Sequence, residues 1–569
     1  MYKLVDHING KTRVYRYGVG NKLLGVVDYD NSDLVHDFSI ALTYDEKDRL
    51  YVENQHLNYT HGGSVVSDDV QYLYTYTDDG KLSKMEINAS AMSSMIYSYD
   101  SFDRLTRKRL YLGMSDFTTQ YTYREKTNLT NTEISRYTFS LDGDARTYDY
   151  SYDSNGNITR VVDSIDGECR YYYDNLGQLV REDNAKKNET YVYTYDNAGN
   201  ITSKKTYTYT TSVISSATLK STYNYGYSSS DWGDLLTSYR GTTITYDGIG
   251  NPTSYYNGTS YYFTWSGREL ASATKGGKTY SFGYNDEGIR TSKTVNGVTT
   301  TYYLSGSQII AEQNPNYTII YLYEQDGSPF GFQYLSSSYS SATAWDSYIY
   351  EKNMQGDIVG IYNLWGGKLA SYTYDAWGNF TVTYHNGGGS TSVTKNPLTY
   401  RGYYYDQDLG LYYLNARYYD SKVGRWINAD GFVSTGQGLI GNNMFSYCGN
   451  NPIMRVDTNG QFWNSISKFF TKIKEWAMDT FGAGYTSYTT IAETETSVIP
   501  DPLPITLKTG TYTKEETVSI GDSSKLISVY ASKDEDHIIK SSSIGLNINI
   551  SNFNLNVNIG FDDIGISGS

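Results

Sequence analysis

A short tyrosine-centred unit returns along most of this chain and limits what the chain can fold into. Each copy has a Tyr, then Asp or another polar residue, two or three turn-forming residues and an apolar residue, as in YDNAGNI. The copies begin at Tyr44, Tyr76, Tyr99, Tyr152, Tyr173, Tyr195, Tyr246, Tyr284 and Tyr374. A period of about 20 residues predicts an array of stacked supersecondary units.

Alternating runs on both sides of each turn indicate what the unit is. ETYVYTY precedes the turn DNAGN, and ITSKKTYTYT follows it. Period-two alternation around an Asp/Asn-Gly turn is typical of a β-hairpin, with Tyr on one face and Thr, Ser, Lys and Asn on the other. The chain has 64 Tyr in 569 residues, and these flat rings suit a pleated surface. We therefore predict an all-β fold of repeated hairpins.

The bulk charge and the cysteines restrict the partners and cofactors. A net charge of -15 disfavours binding to phosphate polymers. Cys169 and Cys448 are too few for a disulfide framework or a zinc site, so we predict no cofactor and no metal. Residues 1–20 have no signal-peptide-like hydrophobic stretch, and no apolar run reaches 18 residues. Either the protein stays inside the cell, or its export signal lies on a missing upstream part.

The repeated units resemble the YD repeats of the RHS family, and the stretch from Tyr400 to Gly460 is similar to the RHS repeat-associated core. It contains GLYYLNARYYD, GRW followed shortly by Asp-Gly, and NNP before a closing Asp. The resemblance implies three parts: a repeat shell at 1–395, N-terminally incomplete, a core at 396–461 and a variable segment at 462–569. It also implies a spiralling β-sheet cocoon, closed at one end by the core, with the variable segment inside as cargo.

The resemblance further implies that the core cuts the chain once, in cis, as an aspartic-type autoprotease. In that chemistry two carboxyls share a proton, so that one activates water while the other donates to the carbonyl. The matching residues are Asp430 and Asp457, with Arg417 orienting or biasing them. The matching cut lies between Gln461 and Phe462.

A second interpretation of these acids stays open, because each stands beside a turn residue. An Asp next to Gly or Asn often caps its turn and has no catalytic role. Gly431 and Thr458 occupy positions where many family members carry Pro, and Gln461 stands where an apolar residue is usual. These departures leave open whether the turns hold the acids at a working distance.

The composition changes beyond Gln461, where Arg is absent and only four Tyr remain. The apolar spacing of FWNSISKFFTKIKEWAMDTFG predicts a helix over 462–480, which would lie on a membrane or pack against protein. A Pro-rich hinge at 498–506 leads to IGLNINISNFNLNVNIG at 544–560, where alternating Asn and apolar residues predict one or two strands. We expect a small mixed α/β or β segment.

The same segment lacks the usual chemistry of a nuclease. It has one His, no Cys and no Arg, with 13 acids against 8 lysines. Nucleases usually combine His or metal-binding acids with basic residues that contact phosphate. KDEDH at 533–537 is the one local cluster that could take a metal, and a solvated charged loop is the better explanation of it. We predict that the segment is unlikely to be a nuclease and that nucleic acid is not a partner.

Two hypotheses for function follow. The first is an RHS-type secreted or cell-surface shell that encapsulates its C-terminal segment and releases it by self-cleavage, in bacterial competition or contact-dependent delivery. Its partners are its own C-terminal segment as cargo and an immunity protein. The second is a non-cleaving extracellular repeat protein whose Tyr faces bind carbohydrate or a cell surface.

Overall fold

The structure, a computed structural model, describes most of the chain as far as residue 460 and only separate strands beyond it. Described are residues 2–460 apart from 7–10, 20–21, 31–35, 90–93, 113–114, 126–131, 229–231, 391 and 432–438, and then 463–465, 493–497, 506–510, 516–519, 527–531, 543–550 and 553–560. Two compact units divide the chain: residues 1–433 with 439–481, and residues 434–438 with 482–569.

A long antiparallel meander makes up the first part of the first unit. Within the described residues, twenty strands form one sheet in which each strand pairs with its neighbour in sequence. They are β1 Tyr2–Asp6, β2 Lys11–Tyr17, β3 Leu23–Asp30, β4 His36–Tyr44, β5 Leu50–His61, β6 Ser64–Tyr76, β7 Leu82–Ile87, β8 Ser94–Tyr99, β9 Leu105–Tyr111, β10 Asp116–Tyr123, β11 Ile134–Leu141, β12 Asp144–Tyr152, β13 Ile158–Asp163, β14 Gly167–Tyr173, β15 Leu179–Asn184, β16 Glu189–Tyr195, β17 Ile201–Thr208, β18 Leu219–Tyr227, β19 Leu236–Tyr239 and β20 Thr242–Thr243.

A second sheet continues the same meander after Ile244. Its fourteen described strands also pair in sequence order. They are β21 Thr245–Tyr246, β22 Pro252–Tyr256, β23 Ser260–Ser266, β24 Glu269–Lys275, β25 Lys278–Tyr284, β26 Arg290–Val295, β27 Val298–Ser305, β28 Gln308–Asn314, β29 Tyr317–Tyr323, β30 Pro329–Ser336, β31 Asp346–Lys352, β32 Ile358–Asn363, β33 Lys368–Tyr374 and β34 Phe380–Tyr384. We call β1–β34 the repeat wall.

The Asp that follows the repeated Tyr closes a five-residue turn, here called the YD turn. At 196–200, the Asp196 backbone N–H donates to the Asn200 carbonyl at 2.9 Å. Asp196 Oδ1 accepts the backbone N–H groups of Ala198 and Asn200, both at 2.9 Å. Gly199 has φ +78, a left-handed conformation that favours glycine. This is why a polar, hydrogen-bonding residue and a glycine recur three positions apart.

The repeated Tyr joins neighbouring repeats through its hydroxyl group. Tyr195 donates to the carbonyl of Leu179 at 2.6 Å, and Leu179 is the apolar residue that ends the preceding unit. The same bond recurs from Tyr44, Tyr76, Tyr99, Tyr123, Tyr152, Tyr173, Tyr227, Tyr323 and Tyr374 to the residue that follows the preceding turn. Phe would fill the same space without this bond, which explains the excess of Tyr.

Part of the second sheet is buried on both faces. β29, β30 and β31 are buried along almost their whole length. Tyr362 of β32 packs against Phe117 and Phe139 of the first sheet. Tyr350, on the opposite face of the second sheet, donates to Asn396 Oδ1 at 2.6 Å. The second sheet therefore lies between the first sheet and the residues that follow β34.

We call residues 396–460 the core segment, and its strands form small sheets. β35 Tyr404–Asp406, β36 Leu411–Leu414, β37 Arg417–Asp420 and β38 Arg425–Trp426 pair in order, and β39 Arg455–Asp457 pairs with β40 Trp463–Ser465. Short 3-10 turns lie at Tyr400–Gly402, Leu439–Asn442 and Tyr447–Asn450. Strand β40 stands where the sequence predicted the first turn of a helix over 462–480. The other residues of that range lie outside the described residues.

The second unit contains the remaining described strands. β41 Glu493–Ser497 pairs with β42 Thr506–Gly510, and β43 Glu516–Ser519, β44 Ile527–Ala531, β45 Ser543–Ile550 and β46 Phe553–Gly560 form one antiparallel sheet. The hinge at 498–506 and KDEDH lie outside the described residues, except for Thr506. Over the described part of the chain, no helix is long and apolar enough to cross a bilayer. The predicted all-β fold of antiparallel hairpins is confirmed.

Candidate functional site

Local hairpin geometry places Arg417 inside the core segment. β36 and β37 are joined by Asn415 and Ala416, and Asn415 has φ +57, which this residue type tolerates in a tight turn. Arg417 is the first residue of β37 and is 5% exposed. Its guanidinium lies 4.1 Å from the ring centre of Trp426, so the cation stacks on an aromatic face.

The guanidinium brings together the two predicted acids, which are 27 residues apart in sequence. Arg417 Nη2 lies 2.8 Å from Asp430 Oδ2 and 3.7 Å from Asp457 Oδ2. Asp430 and Asp457 are 3% and 1% exposed. A buried carboxylate needs such a partner, because desolvation strongly disfavours an isolated charge.

Burial sets the protonation behaviour of the site. Desolvation raises the pKa of Asp457 to about 6, although the Arg417 charge and the backbone N–H of Gly460 oppose the shift. Burial also lowers the pKa of Arg417, whereas the two carboxylates raise it. Asp457 therefore holds its proton to a higher pH than an ordinary Asp, with a cation beside it.

The backbone leading to the predicted cut is held by the same side chains. Asp457 Oδ1 accepts the N–H groups of Gly460 at 2.8 Å and Asn459 at 3.3 Å, and Arg417 Nε donates to the Gly460 carbonyl. Gly460 has φ +77, and a Cβ there would stand 2.4 Å from the Leu414 carbonyl oxygen. No side chain fits at this position.

The cut itself lies just past this turn. Gln461 and Phe462 lie outside the described residues. The flanking strands β39 and β40 pair so that Asp457 stands opposite Trp463. Thr458 and Gly431, which replace the usual prolines, are both exposed, and the Asp457 side chain closes the turn at 457–460 without a proline.

Sequence reasoning missed several residues that complete the site. The Met444 carbonyl accepts from Arg417 Nη1 at 3.1 Å and from the Asp430 N–H at 3.0 Å. The Tyr403 hydroxyl accepts the Asp457 N–H at 3.1 Å. A backbone carbonyl has no sequence signature, and Tyr403 is one of many tyrosines, so neither role was visible in the sequence. In the described part of the chain, no group of three or more His, Cys, Asp or Glu residues is arranged to hold a metal ion.

Fold and site together define a class of protein: a wall of turn-capped hairpins with a core segment in which one arginine contacts two buried carboxyl groups. The family model for the RHS Repeat matches residues 152–189. This match lies within the YD units and confirms their resemblance to RHS repeats.

Similar proteins match this chain over only part of their own length. The tRNA nuclease WapA of Bacillus subtilis (strain 168) is 31% identical over 310 residues, which cover 52% of this chain and 12% of that protein. Double-stranded DNA deaminase toxin A of Burkholderia cenocepacia (strain H111) is 26% identical over 338 residues, or 55% of this chain and 22% of that protein. The crystal structure of TcdB2-TccC3 without its hypervariable C-terminal region matches 79% of this chain and 26% of that one, with TM-score 0.51 and 16% identity. The last match shows the fold alone.

The predictions about nucleic acid are wrong. Three relatives are named as tRNA nucleases, and two of these names specify a particular tRNA. This similarity overturns the prediction that the C-terminal segment is unlikely to be a nuclease, and with it the exclusion of nucleic acid as a partner. The error has a physical source: net charge and residue counts describe an average, whereas phosphate binding depends on a local group of donors.

Proposed function

We propose that this chain is a shell protein that encloses the segment after its core, cuts itself between Gln461 and Phe462, and releases residues 462–569 as an effector. The observation that carries the proposal is the contact of one buried guanidinium, that of Arg417, with both predicted acids. A cap on a turn needs one carboxylate and backbone N–H groups. Two carboxyl groups on the same guanidinium nitrogen are near neighbours, and hydrolysis by a carboxyl pair needs two such groups close together.

The two acids take different parts in the proposed hydrolysis. Asp430 has the shorter ion pair with Arg417, so we assign it as the base that accepts a proton from the attacking water. Asp457 has the raised pKa and gives its proton to the scissile carbonyl oxygen. Water adds to the carbonyl carbon of Gln461, and the C–N bond to Phe462 then breaks. The new amine takes a proton and the carboxyl forms.

The turn at 457–460 supplies the positioning. Arg417 Nε and Asp457 Oδ1 hold the carbonyl and the N–H of Gly460, respectively. The residues that would do the chemistry therefore also hold the backbone that leads into the scissile bond. Positioning of this kind replaces substrate binding in a reaction that occurs once in cis.

Asparagine at either acid should stop the release. We expect the purified full-length chain to yield a fragment with the mass of residues 462–569 on a denaturing gel and by intact mass spectrometry. Asp457→Asn and Asp430→Asn should each leave the chain intact, because an amide neither holds the shared proton nor activates water. Asp420→Asn is the matched control: Asp420 is a buried carboxyl of β37 whose partners are Asn257 and Tyr255, so its fragment should appear as in the parent.

An uncut parent chain would contradict this proposal and favour the alternative, a non-cleaving extracellular wall that binds carbohydrate or a cell surface. A fragment that persists in both Asn variants would assign the cut to another group or to a contaminating protease.

The names of the relatives support tRNA as the target of the released segment. We expect the parent protein, after it has cut itself, to shorten tRNA in a purified tRNA pool, as seen on a sequencing gel. Under the same conditions Asp457→Asn should shorten it less, since its effector stays enclosed. Equal tRNA patterns with and without protein would contradict a tRNA target. Under this proposal the protein acts outside the producing cell or at its surface, and an immunity protein protects the producer.

A further inference from the structure

The fifth residue of the YD turn presents a side chain in a fixed direction. In the turn 196–200, Asn200 Nδ2 donates to Asp196 Oδ2 at 3.0 Å. A carboxylate only accepts hydrogen bonds, so the amide must point its N–H₂ group at Asp196 and its Oδ1 away from the turn. The turns at 153–157 and 174–178 repeat this bond, from Asn157 at 2.9 Å and from Gln178 at 2.7 Å.

In these three turns the outward oxygen meets one stretch of the core segment, residues 441–451, which we call the Asn-rich segment. The donors are Asn443 to Asn200 Oδ1 at 2.8 Å, Asn450 to Gln178 Oε1 at 2.9 Å and Asn451 to Asn157 Oδ1 at 3.2 Å. Apart from Asn157, these side chains are at most 7% exposed. A buried amide pair is costly to break, because both groups would lose their partners.

Arg425 adds a second donor to the same acceptor. Its Nη1 lies 3.0 Å from Asn200 Oδ1, and its Nη2 donates to the Asp234 carbonyl at 2.9 Å. Asn200 thus accepts two hydrogen bonds from the core segment, one of them charge-assisted and therefore stronger than a neutral one.

Turns with a basic fifth residue make a different contact. Arg49 lies 4.4 Å from the ring centre of Tyr76, Lys81 lies 5.7 Å from that of Tyr99, and Arg104 lies 4.3 Å from that of Tyr123. Each of these cations stacks on the repeated Tyr of the next unit. In these six turns, the residue type at the fifth position therefore separates turns that contact the core segment from turns that reinforce the wall.

The Asn-rich segment connects these turns to the candidate site through two adjacent residues. Asn443, held by Asn200, precedes Met444, whose carbonyl accepts from both Arg417 Nη1 and the Asp430 N–H. A shift of this carbonyl would move the guanidinium and the acid together.

We infer that the fifth-position amides Asn157, Gln178 and Asn200 are positioning residues of the repeat wall. They dock the Asn-rich segment and so hold Arg417 and Asp430 in place, more than 200 residues away in sequence. Their effect on cleavage rests on the proposed function, whereas their docking role does not.

The test compares three variants of the full-length chain, each with a single substitution. Asn200→Ala removes the acceptor. Lys81→Ala is the matched control, because it truncates the fifth residue of a turn and Lys81 contacts Asp79, Asp103 and Tyr99 of the wall. Asn200→Gln is the conservative variant, since Gln178 shows that Gln makes both bonds in this geometry. The measurements are hydrogen exchange of peptides covering 441–451 and the rate of fragment release as a function of pH.

In Asn200→Ala we expect exchange over 441–451 to accelerate about tenfold or more, and release to slow by a similar factor. The pH at which release declines should also rise, because a loosened Arg417 no longer holds the pKa of Asp457 down. Lys81→Ala should change neither measurement, and Asn200→Gln should restore most of the release.

Parent-like exchange and parent-like release in Asn200→Ala would overturn the inference. If the parent itself releases no fragment, the proposed function fails, and the exchange comparison between Asn200→Ala and Lys81→Ala alone supports or overturns the docking role.

Discussion

Replacing Arg417 by Met should reduce fragment release by about a hundredfold or more, the usual cost of removing a positioned charge from a reacting site. The substitution removes the cation that contacts both acids and the donor that holds the Gly460 carbonyl. The measurement is the rate of appearance of residues 462–569 by quantitative gel. Arg240→Met, which truncates an exposed arginine stacked 4.4 Å above Tyr223 of the wall, is the control and should cut at the parent rate.

The raised pKa of Asp457 predicts the direction in which the release rate changes with pH. Asp457 must be protonated to act as the acid, and its pKa is about 6, so release by the parent should fall as the pH rises through about 6. In Arg417→Lys, whose ammonium is a point charge without the bidentate fork, residual release should be slower than in the parent. Release by Arg417→Met at the parent rate, or a parent rate that rises through pH 6, would contradict these roles.

Replacing Arg290 by Met should destabilise the attachment of the core segment to the wall by about 3–5 kcal/mol, the usual cost of breaking a buried ion pair. Arg290 is 0% exposed, its Nη1 lies 3.1 Å from Asp406 Oδ2 of β35, and its guanidinium lies 4.2 Å from the ring centre of Tyr413. Met fills much of the volume but leaves Asp406 with Lys293 as its remaining cation. The measurement is the opening free energy of β35–β37 amides by native-state hydrogen exchange.

A double substitution separates charge from packing in this prediction. Because Arg290 and Asp406 form one ion pair, the costs of Arg290→Met and Asp406→Asn should not add, and the double variant should lose less stability than the sum of the two single variants. Arg240→Met serves again as the exposed control. If Arg290→Met and Arg240→Met lower the opening free energy of the β35–β37 amides by the same amount, then the Arg290–Asp406 ion pair contributes little to holding the core segment.

The repeat could be predicted in detail because its causes are local. The Asp of a YD turn binds N–H groups two and four residues ahead, and Gly supplies a positive φ one residue before the end of the turn. Period-two alternation fixes which side chains share a face. The helix predicted to begin at 462 is replaced at 463–465 by strand β40. Pairing with β39 satisfies the hydrogen-bonding groups of the backbone there, and this pairing outweighs the helical spacing of the apolar residues.

The candidate site was predictable only through family motifs, since spacing alone does not relate Asp430 to Asp457. Their convergence on Arg417 depends on β37, on the Asn-rich segment and on the turn at 457–460, which come from separate parts of the core segment. The prediction that nucleic acid is not a partner was wrong because it relied on charge averaged over the chain.

By itself the sequence determined the hairpins, their turns, the two-faced strands and the identity of the candidate acids, because these follow from interactions within a few residues or from a motif. Only the tertiary structure decided that Tyr hydroxyls join neighbouring repeats, that fifth-position amides dock the Asn-rich segment, and that one guanidinium contacts both acids. These contacts join residues from 13 positions apart, for Arg417 and Asp430, to 294 positions apart, for Asn157 and Asn451. Burial strengthens these contacts and raises the pKa of Asp457. Burial is a property of the folded chain and cannot be read from neighbouring residues in the sequence.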